Sequence, residues 1–280
     1  MLEKMKPVAA LVTQDVREIQ FPTPEKTLSP PILASDGVVV GYDPAAPVLN
    51  RVTLRIDQDD RIALLGANGN GKSTLVKLLA GKLAPFAGKV VRADKLSVGY
   101  FAQHQTDELD LDGSPYDHLR RLMPDTPESK VRARVGAIGF SGKAGDTLVK
   151  DLSGGEKARL LLGLATFAAP NLLILDEPTN HLDIDSRAAL AEAINAFPGA
   201  IIMVSHDRYL IEACADRLWV VADHTVTPYD GDLDDYRRSI LSSRSTDTRG
   251  RADDRPRSER ARGEPKGEPK RGRRASPRQR

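Results

Sequence analysis

An apolar run, RIALL at Arg61–Leu65, gives way to GANGNGKST at Gly66–Thr74 and resumes at once as the helix-like KSTLVKLLA. A strand, a glycine-rich turn and a helix in that register constrain the fold more than any other feature. Gly66, Gly69 and Gly71 let the backbone turn tightly enough for its N–H groups to converge on an anion, and the following helix adds the positive end of its dipole. The GxxxxGK[ST] spacing in this setting reads as a phosphate-binding loop. Gly66, Asn68, Gly69, Asn70 and Gly71 would cradle phosphates and Lys72 would reach the β- and γ-phosphates. The Ser73 hydroxyl would coordinate Mg²⁺, and Thr74 would serve packing or the phosphate shell.

The rest of the chain supplies a rhythm in which such a loop belongs. Val38–Tyr42, Leu49–Ile56, Arg61–Leu65, Leu96–Ala102, Leu172–Asp176 and Ala200–Val204 read as strands. Lys72–Ala80 and Asp185–Ala196 read as helices, the second placing Leu190, Ile194 and Phe197 on one face. Ser114–Phe140 is helical in pattern but broken by Pro124 and Pro127. Strand, crossover helix and strand in succession predict an α/β fold with a mostly parallel sheet.

Two further stretches put chemistry at strand ends. In NLLILDEPTNHLD, Asn171–Asp183, four apolar residues deliver Asp176 to a strand terminus, where its carboxylate can take Mg²⁺ or a coordinating water. Glu177 stands beside it. Two adjacent carboxylates repel each other, which favours a working role for Glu177 in orienting or deprotonating an attacking water. His206, in IIMVSHD, leaves another apolar strand and could hydrogen-bond a γ-phosphate or that water. Alone, it would read as a packing or capping histidine.

DLSGGEKARLL, Asp151–Leu161, sets Ser153, Gly154 and Gly155 before an amphipathic run. Opening a helix with two glycines is entropically costly, so a compensating contact is expected.

Together, GANGNGKST, LSGGE, LLILDEPTNHLD and VSHD resemble the ATP-binding cassette (ABC) ATPases over about Ile32–Tyr236. That resemblance implies a P-loop NTPase fold of the ABC type, with a mostly parallel sheet core, an antiparallel β subdomain and a helical subdomain at about 110–168, the whole cassette running over 32–240. It implies ATP and Mg²⁺ as ligands. Within it Tyr42 looks like the aromatic that stacks on adenine, Gln103 like the glutamine linking the Mg²⁺ site to the helical subdomain, and Asp183 like the aspartate of a loop crossing a dimer interface. Gln105 would point the same way as Gln103 if the strand continued. Ser153, Gly154 and Gly155, with the helix beginning near Glu156, would present donors to the γ-phosphate held by an opposing cassette, and that contact would offset the glycines.

Glu156, EKARLLLG, DEPTNHLD, FAQHQ at Phe101–Gln105 and YDGDLDDYRR at Tyr229–Arg238 are similar to the ABC-F proteins, a soluble group with two cassettes on one chain that act on ribosomes. Residues 1–31, with REIQFPTP, resemble the end of the linker joining those cassettes, whose helices approach transfer RNA. The resemblance therefore implies a second cassette as partner: a missing N-terminal half, a head-to-tail homodimer, or a separately encoded half. It also implies the ribosome, transfer RNA or another nucleic acid as target. Competing readings are an energy-coupling subunit of a membrane transporter and an ATP-switched nucleic-acid accessory factor.

Charge distribution bears on the last of these. The final forty residues hold fourteen Lys or Arg against six Asp or Glu, whereas the preceding 240 carry 27 basic against 33 acidic groups. A basic, Pro- and Gly-containing tail over 241–280, with Arg271, Arg273, Arg274, Arg278 and Arg280 clustered, is expected to be disordered and can meet phosphates without a fold. Cys214 is the sole cysteine, which excludes an intrachain disulfide and a multi-cysteine metal site. No run approaches the roughly 20 apolar residues of a membrane span, and no secretory signal opens the chain, so a cytoplasmic location is expected.

Overall fold

Ile62, Leu64, Leu172, Ile174, Ile202 and Val204 enter one apolar cluster, while their neighbours Leu173, Leu175, Ile201 and Met203 enter another. The strands that carry them are therefore covered on both faces. That is why they read as continuous apolar runs rather than as alternation.

The computed structural model describes residues 19–102, 109–180 and 182–239. The readings for Gln103 and Gln105, for residues 1–18 of the linker-like segment and for the tail lie outside these residues. The strands are β1 (Leu33–Val40), β2 (Leu49–Ile56), β3 (Arg61–Leu65), β4 (Ala87–Arg92), β5 (Val98–Ala102), β6 (Leu172–Asp176), β7 (Ala200–Val204), β8 (Arg217–Ala222) and β9 (Thr225–Tyr229). The helices are α1 (Lys72–Leu79), α2 (Pro115–Leu122), α3 (Glu128–Ala137), α4 (Gly154–Ala165), α5 (Ile184–Ala196) and α6 (Arg208–Cys214).

The larger sheet runs β5-β6-β7-β3-β8-β9, parallel throughout except for the antiparallel β8-β9 edge. Val204 registers with Leu64 on one side and Asp176 on the other, so β3, β6 and β7 end along one edge of the sheet. Ligands of open α/β sheets collect at that edge. The smaller sheet, β2-β1-β4, is antiparallel and shares its apolar cluster with α1 and the main sheet. The α/β architecture with an antiparallel β layer and a helical portion is thus present as expected.

Differences from the sequence reading have local causes. The first strand spans Leu33–Val40 rather than Val38–Tyr42, because Gly37 at φ 57° and the register breaks around Val38 disrupt the alternation that marks a strand. β4 is an exposed edge strand without an apolar pattern. The proline-broken interval resolves into α2 and α3. Ser114 caps α2 reciprocally with Asp117, and Pro115 occupies its first turn.

Residues 19–31 lie against the cassette. The Phe21 ring meets Phe197 edge-on at 5.9 Å, the Asn171 amide donates to the Lys26 carbonyl at 2.7 Å, and Leu28 N–H donates to Gln58 at 2.7 Å. Residues 232–239 belong to a separate unit, helical over 233–239, in which Asp232 Oδ1 accepts from Asp235 N–H at 2.7 Å.

Candidate active site

The loop between β3 and α1 is shaped by its glycines. Gly66, Gly69 and Gly71 have φ of 141°, 87° and 100°, conformations that L side chains rarely adopt. A methyl at Gly66 would collide with the Val221 carbonyl, and one at Gly71 would come within 2.9 Å of Leu49 and Val48. Gly69 faces open space, so its backbone is approachable. α1 starts on Gly71 with no side-chain cap and no acidic residue in its first turn. Its first N–H groups and dipole are therefore directed at whatever enters the cleft.

Lys72 lies across this loop. Its ammonium donates to the Gly66 carbonyl at 2.6 Å and the Ala67 carbonyl at 3.3 Å. Burial holds its pKa below the usual lysine value, opposed by the charges of Glu177 and Asp176. The Asn70 side-chain amide donates to the Val221 carbonyl at 3.1 Å.

Two adjoining clefts share Asn68, Lys72 and Ser73. One, of about 370 Å³, is also lined by Tyr42, Val48, Gly69, Gly71 and Thr74. The other, of about 180 Å³, is completed by Asp176, Glu177, Val204 and His206. A body with an aromatic wall joins a polar end with two carboxylates and a histidine.

Tyr42 is presented on a turn in which Asp43 accepts from Ala45 N–H at 2.9 Å. Its hydroxyl accepts from Lys77 Nζ at 3.1 Å, and the ammonium lies 5.2 Å from the ring centre. Burial alone would raise the phenol, but hydrogen bonds with Lys77 and the buried Thr74 together with the Lys77 charge hold it below its ordinary value. Tyr42 is 62 % exposed, which leaves its ring available for stacking.

At the polar end, Glu177 has φ 52°, a left-handed conformation that costs a non-glycine residue about 1–3 kcal/mol. Its N–H donates to the Val204 carbonyl at 2.8 Å, fixing it to the end of β7. His206 Nε2 stands 3.4 Å from Glu177 Oε1. Burial raises the Glu177 carboxyl above the usual range, with His206 opposing and Asp176 adding to the rise. A half-buried carboxyl with raised basicity suits proton transfer.

The donor set fits an anionic nucleotide with a hard cation. Among the described residues no three His, Cys, Asp or Glu side chains form a metal cage. Mg²⁺ in phosphate sites characteristically takes most ligands from phosphate and water and one or two from protein, for which Ser73 and Asp176, facing the same cleft, suffice.

Ser153, Gly154, Gly155, Glu156 and Asp183 do not line these clefts. Ser153 caps α4, which begins at Gly154 rather than near Glu156. Ser153 N–H and Oγ contact Glu156 Oε2 at 2.9 and 2.8 Å, and Glu156 N–H donates back to Ser153 Oγ at 3.3 Å. A local capping box therefore offsets the two glycines within the chain, in addition to any contact outside it. Asp183 caps α5 through Ser186 N–H at 2.7 Å, and hydrogen bonds from the Ser186 side chain and then its backbone hold the carboxyl below the usual range.

Val48 and Val204 complete the cleft walls and were not anticipated. Nor was the β8-β9 turn, whose His224 ring nitrogen lies 3.1 Å from the Val48 carbonyl and whose backbone carbonyl accepts from Asn50 N–H at 2.6 Å. Both are contacts through backbone atoms and carry no motif. The Ser153-x-x-Glu156 signature, by contrast, is legible locally.

The ABC transporter family profile matches residues 49–180. The chain is 47% identical over 238 residues to "Probable ATP-binding protein YheS" of Escherichia coli K12, covering 85% of this chain and 37% of that protein. It is 41% identical over 243 residues to "ABC transporter F family member 3" of Arabidopsis thaliana, covering 86% of this chain and 34% of that protein. Against "ATP-binding cassette sub-family F member 3" of Mus musculus it is 40% identical over 237 residues, 33% of that protein. It thus spans about a third of the length of these curated relatives. A bacterial Atm1-family ABC exporter with ATP bound superposes with a TM-score of 0.63 at 22% identity, over 80% of this chain and 43% of that one, and shares the fold. Among the described residues no helix is long and apolar enough to cross a membrane. Residues 49–180 thus carry a P-loop domain of the ATP-binding cassette type, and about 85% of the chain is similar to ABC-F proteins.

Proposed function

We propose that this cassette hydrolyses Mg-ATP in a site completed by a second cassette, and that the resulting closure and opening act on the translating ribosome. The observation that carries the hydrolytic part is the Glu177–His206 pair, 3.4 Å apart, lining one cleft with Lys72 and Ser73. Tyr42 supplies the adenine face, and the glycine loop with the α1 terminus binds the phosphates. Lys72 exchanges loop carbonyls for β- and γ-phosphate oxygens. Ser73 and Asp176 would hold Mg²⁺, which supplies charge neutralisation on the phosphates. Glu177 orients the attacking water and accepts its proton, and His206 steadies both the carboxylate and the γ-phosphate.

A composite site is favoured because Ser153 and Asp183 lie away from the clefts yet sit at the N-termini of α4 and α5. In an opposed pair those termini would face the partner's γ-phosphate. Transfer to the ribosome rests on the likeness to ABC-F proteins and on the segment resembling their interdomain linker, a warrant from fold relationship rather than from the site.

Glu177→Gln keeps the shape of the site but removes the proton acceptor. With Mg-ATP it should bind nucleotide, fail to turn over, and sediment as an associated species that also co-sediments with purified ribosomes. Nucleotide-independent sedimentation would refute composite closure. ATP-dependent association that ignores ribosomes would refute the translational target and leave the cassette chemistry standing.

A further inference from the structure

We infer that Arg187 is a positioning residue that sets His206 against Glu177 and ties that setting to the loop carrying Asp183. The inference rests on the hydrolytic reading of Glu177. Arg187 lies in α5, within the first turns after the Asp183 cap, and its Nε–H donates to the Leu182 carbonyl at 3.2 Å. Its Nη1 donates to Asp207 Oδ2 at 3.3 Å. One guanidinium thus spans two loops that each lead back to the site.

The path closes on itself. From Glu177 the chain turns through Asn180, whose N–H donates to the Glu177 carbonyl at 3.4 Å, and through Leu182, whose N–H donates to the Thr179 carbonyl at 3.1 Å. The Leu182 carbonyl meets Arg187, Arg187 meets Asp207, and Asp207 is bonded in sequence to His206, which returns to Glu177 at 3.4 Å. Asp207 is well suited to transmit position. Its side chain is 10% exposed, Oδ1 accepts from Leu210 N–H at 3.2 Å, and its own N–H donates to Ser205 Oγ at 3.0 Å. It cannot shift toward or away from Arg187 without moving the start of α6 and the His206 backbone.

A surface ion pair would ordinarily contribute little. Here the partner carboxylate is buried, and the planar guanidinium uses a second nitrogen on a backbone carbonyl, so geometry rather than charge alone is fixed. His206 itself is 67% exposed, so its setting depends on the loop that carries it. Anything that displaces the Asp183 loop, such as an approaching second cassette, would move Leu182 and be felt at His206 through Arg187.

The test uses the full chain with Arg187→Met, which keeps the aliphatic stem, and Arg187→Lys, which can reach one acceptor but not hold both in a plane. Arg187→Met should bind a fluorescent ATP analogue as the parent does while kcat falls about tenfold to a hundredfold, the scale of a misplaced catalytic group. Arg187→Lys should recover part of it. A second readout does not need turnover: the His206 ring signals in NMR, identified by their loss in His206→Gln, should shift when Glu177 becomes Gln in the parent, and that shift should shrink by at least half in the Arg187→Met background. An unchanged kcat, or a loss of nucleotide binding equal to the loss of kcat, overturns the positioning role. So does a His206 response to Glu177→Gln that is the same in both backgrounds. If the parent itself shows no turnover the hydrolytic reading fails, and the NMR comparison decides the positioning role alone.

Discussion

Asn70 donates its side-chain amide to the Val221 carbonyl at 3.1 Å, so the phosphate loop is held by a strand on the far side of β3. Gly66 presses on the same carbonyl, with no room for a Cβ and a φ of 141°. The β8-β9 turn also contacts Val48, which lines the wider cleft. One hairpin thereby supports both the phosphate loop and the wall beside Tyr42.

Gly66→Ala should therefore eliminate measurable ATP binding, since the added methyl must displace the loop or β8. Asn70→Ala removes one hydrogen bond worth about 0.5–1.5 kcal/mol, and should weaken ATP affinity by about twofold to tenfold as the loop loses its order. Calorimetric titration of both variants checks the ranking. An Asn70→Ala protein that binds ATP as tightly as the parent would show that the glycines alone shape the loop.

Strain at Glu177 gives a separable prediction. At φ 52° an alanine retains the unfavourable backbone whereas a glycine does not, so Glu177→Gly should be more stable than Glu177→Ala by about 1 kcal/mol, both lacking turnover. Elsewhere in the chain glycine is ordinarily the less stable of the two. Denaturant midpoints of the pair measure the backbone term, because both variants lack the carboxylate.

The elements legible in the sequence are strands with a regular apolar pattern, continuous where both faces are covered and alternating where one is, each punctuated by turn residues. Leu49–Ile56, Arg61–Leu65, Leu172–Asp176 and Ala200–Val204 have the bounds their patterns predict. β4 escaped because an exposed edge needs no apolar pattern, and β1 was misplaced because Gly37 interrupts its alternation. Of the candidate site residues read from side-chain chemistry, Tyr42, Lys72, Ser73, Asp176, Glu177 and His206 line adjoining clefts. What escaped acts through carbonyls. Val221 lies 151 positions from Asn70 and offers only its backbone oxygen, so no residue type at that position announces the contact.

Cys214 should be inert under ordinary conditions. Burial pushes its thiol up to about 11, with the nearby Arg61 charge opposing, and its Sγ–H faces the Ala191 carbonyl at 3.7 Å. Since the thiolate is the reactive form, a thiol reagent at pH 8 should modify the folded protein far more slowly than the denatured one. The linkage has a definite sign. Above pH 9 the unfolded chain's thiol ionises while the folded one keeps its proton, so the folded state binds more protons and stability falls as pH rises toward 11. Cys214→Ala should remove that part of the alkaline slope, as read from denaturant midpoints between pH 8 and 11.

The capping box at Ser153 and Glu156 predicts how α4 responds to substitution, independently of any partner. Glu156→Ala leaves Ser153 N–H without its acceptor and should lower stability by about 1 kcal/mol. Glu156→Gln can rebuild the same reciprocal pair and should lie close to the parent. Ser153→Ala removes both the cap and the hydroxyl that the proposed second cassette would use, so it should lose stability like Glu156→Ala and also lose ATP-dependent association. The comparison separates the two uses of one residue: with stability matched between Ser153→Ala and Glu156→Ala, any further loss of association in Ser153→Ala measures the hydroxyl's contact outside the chain. If the two variants associate equally, Ser153 serves only to start the helix.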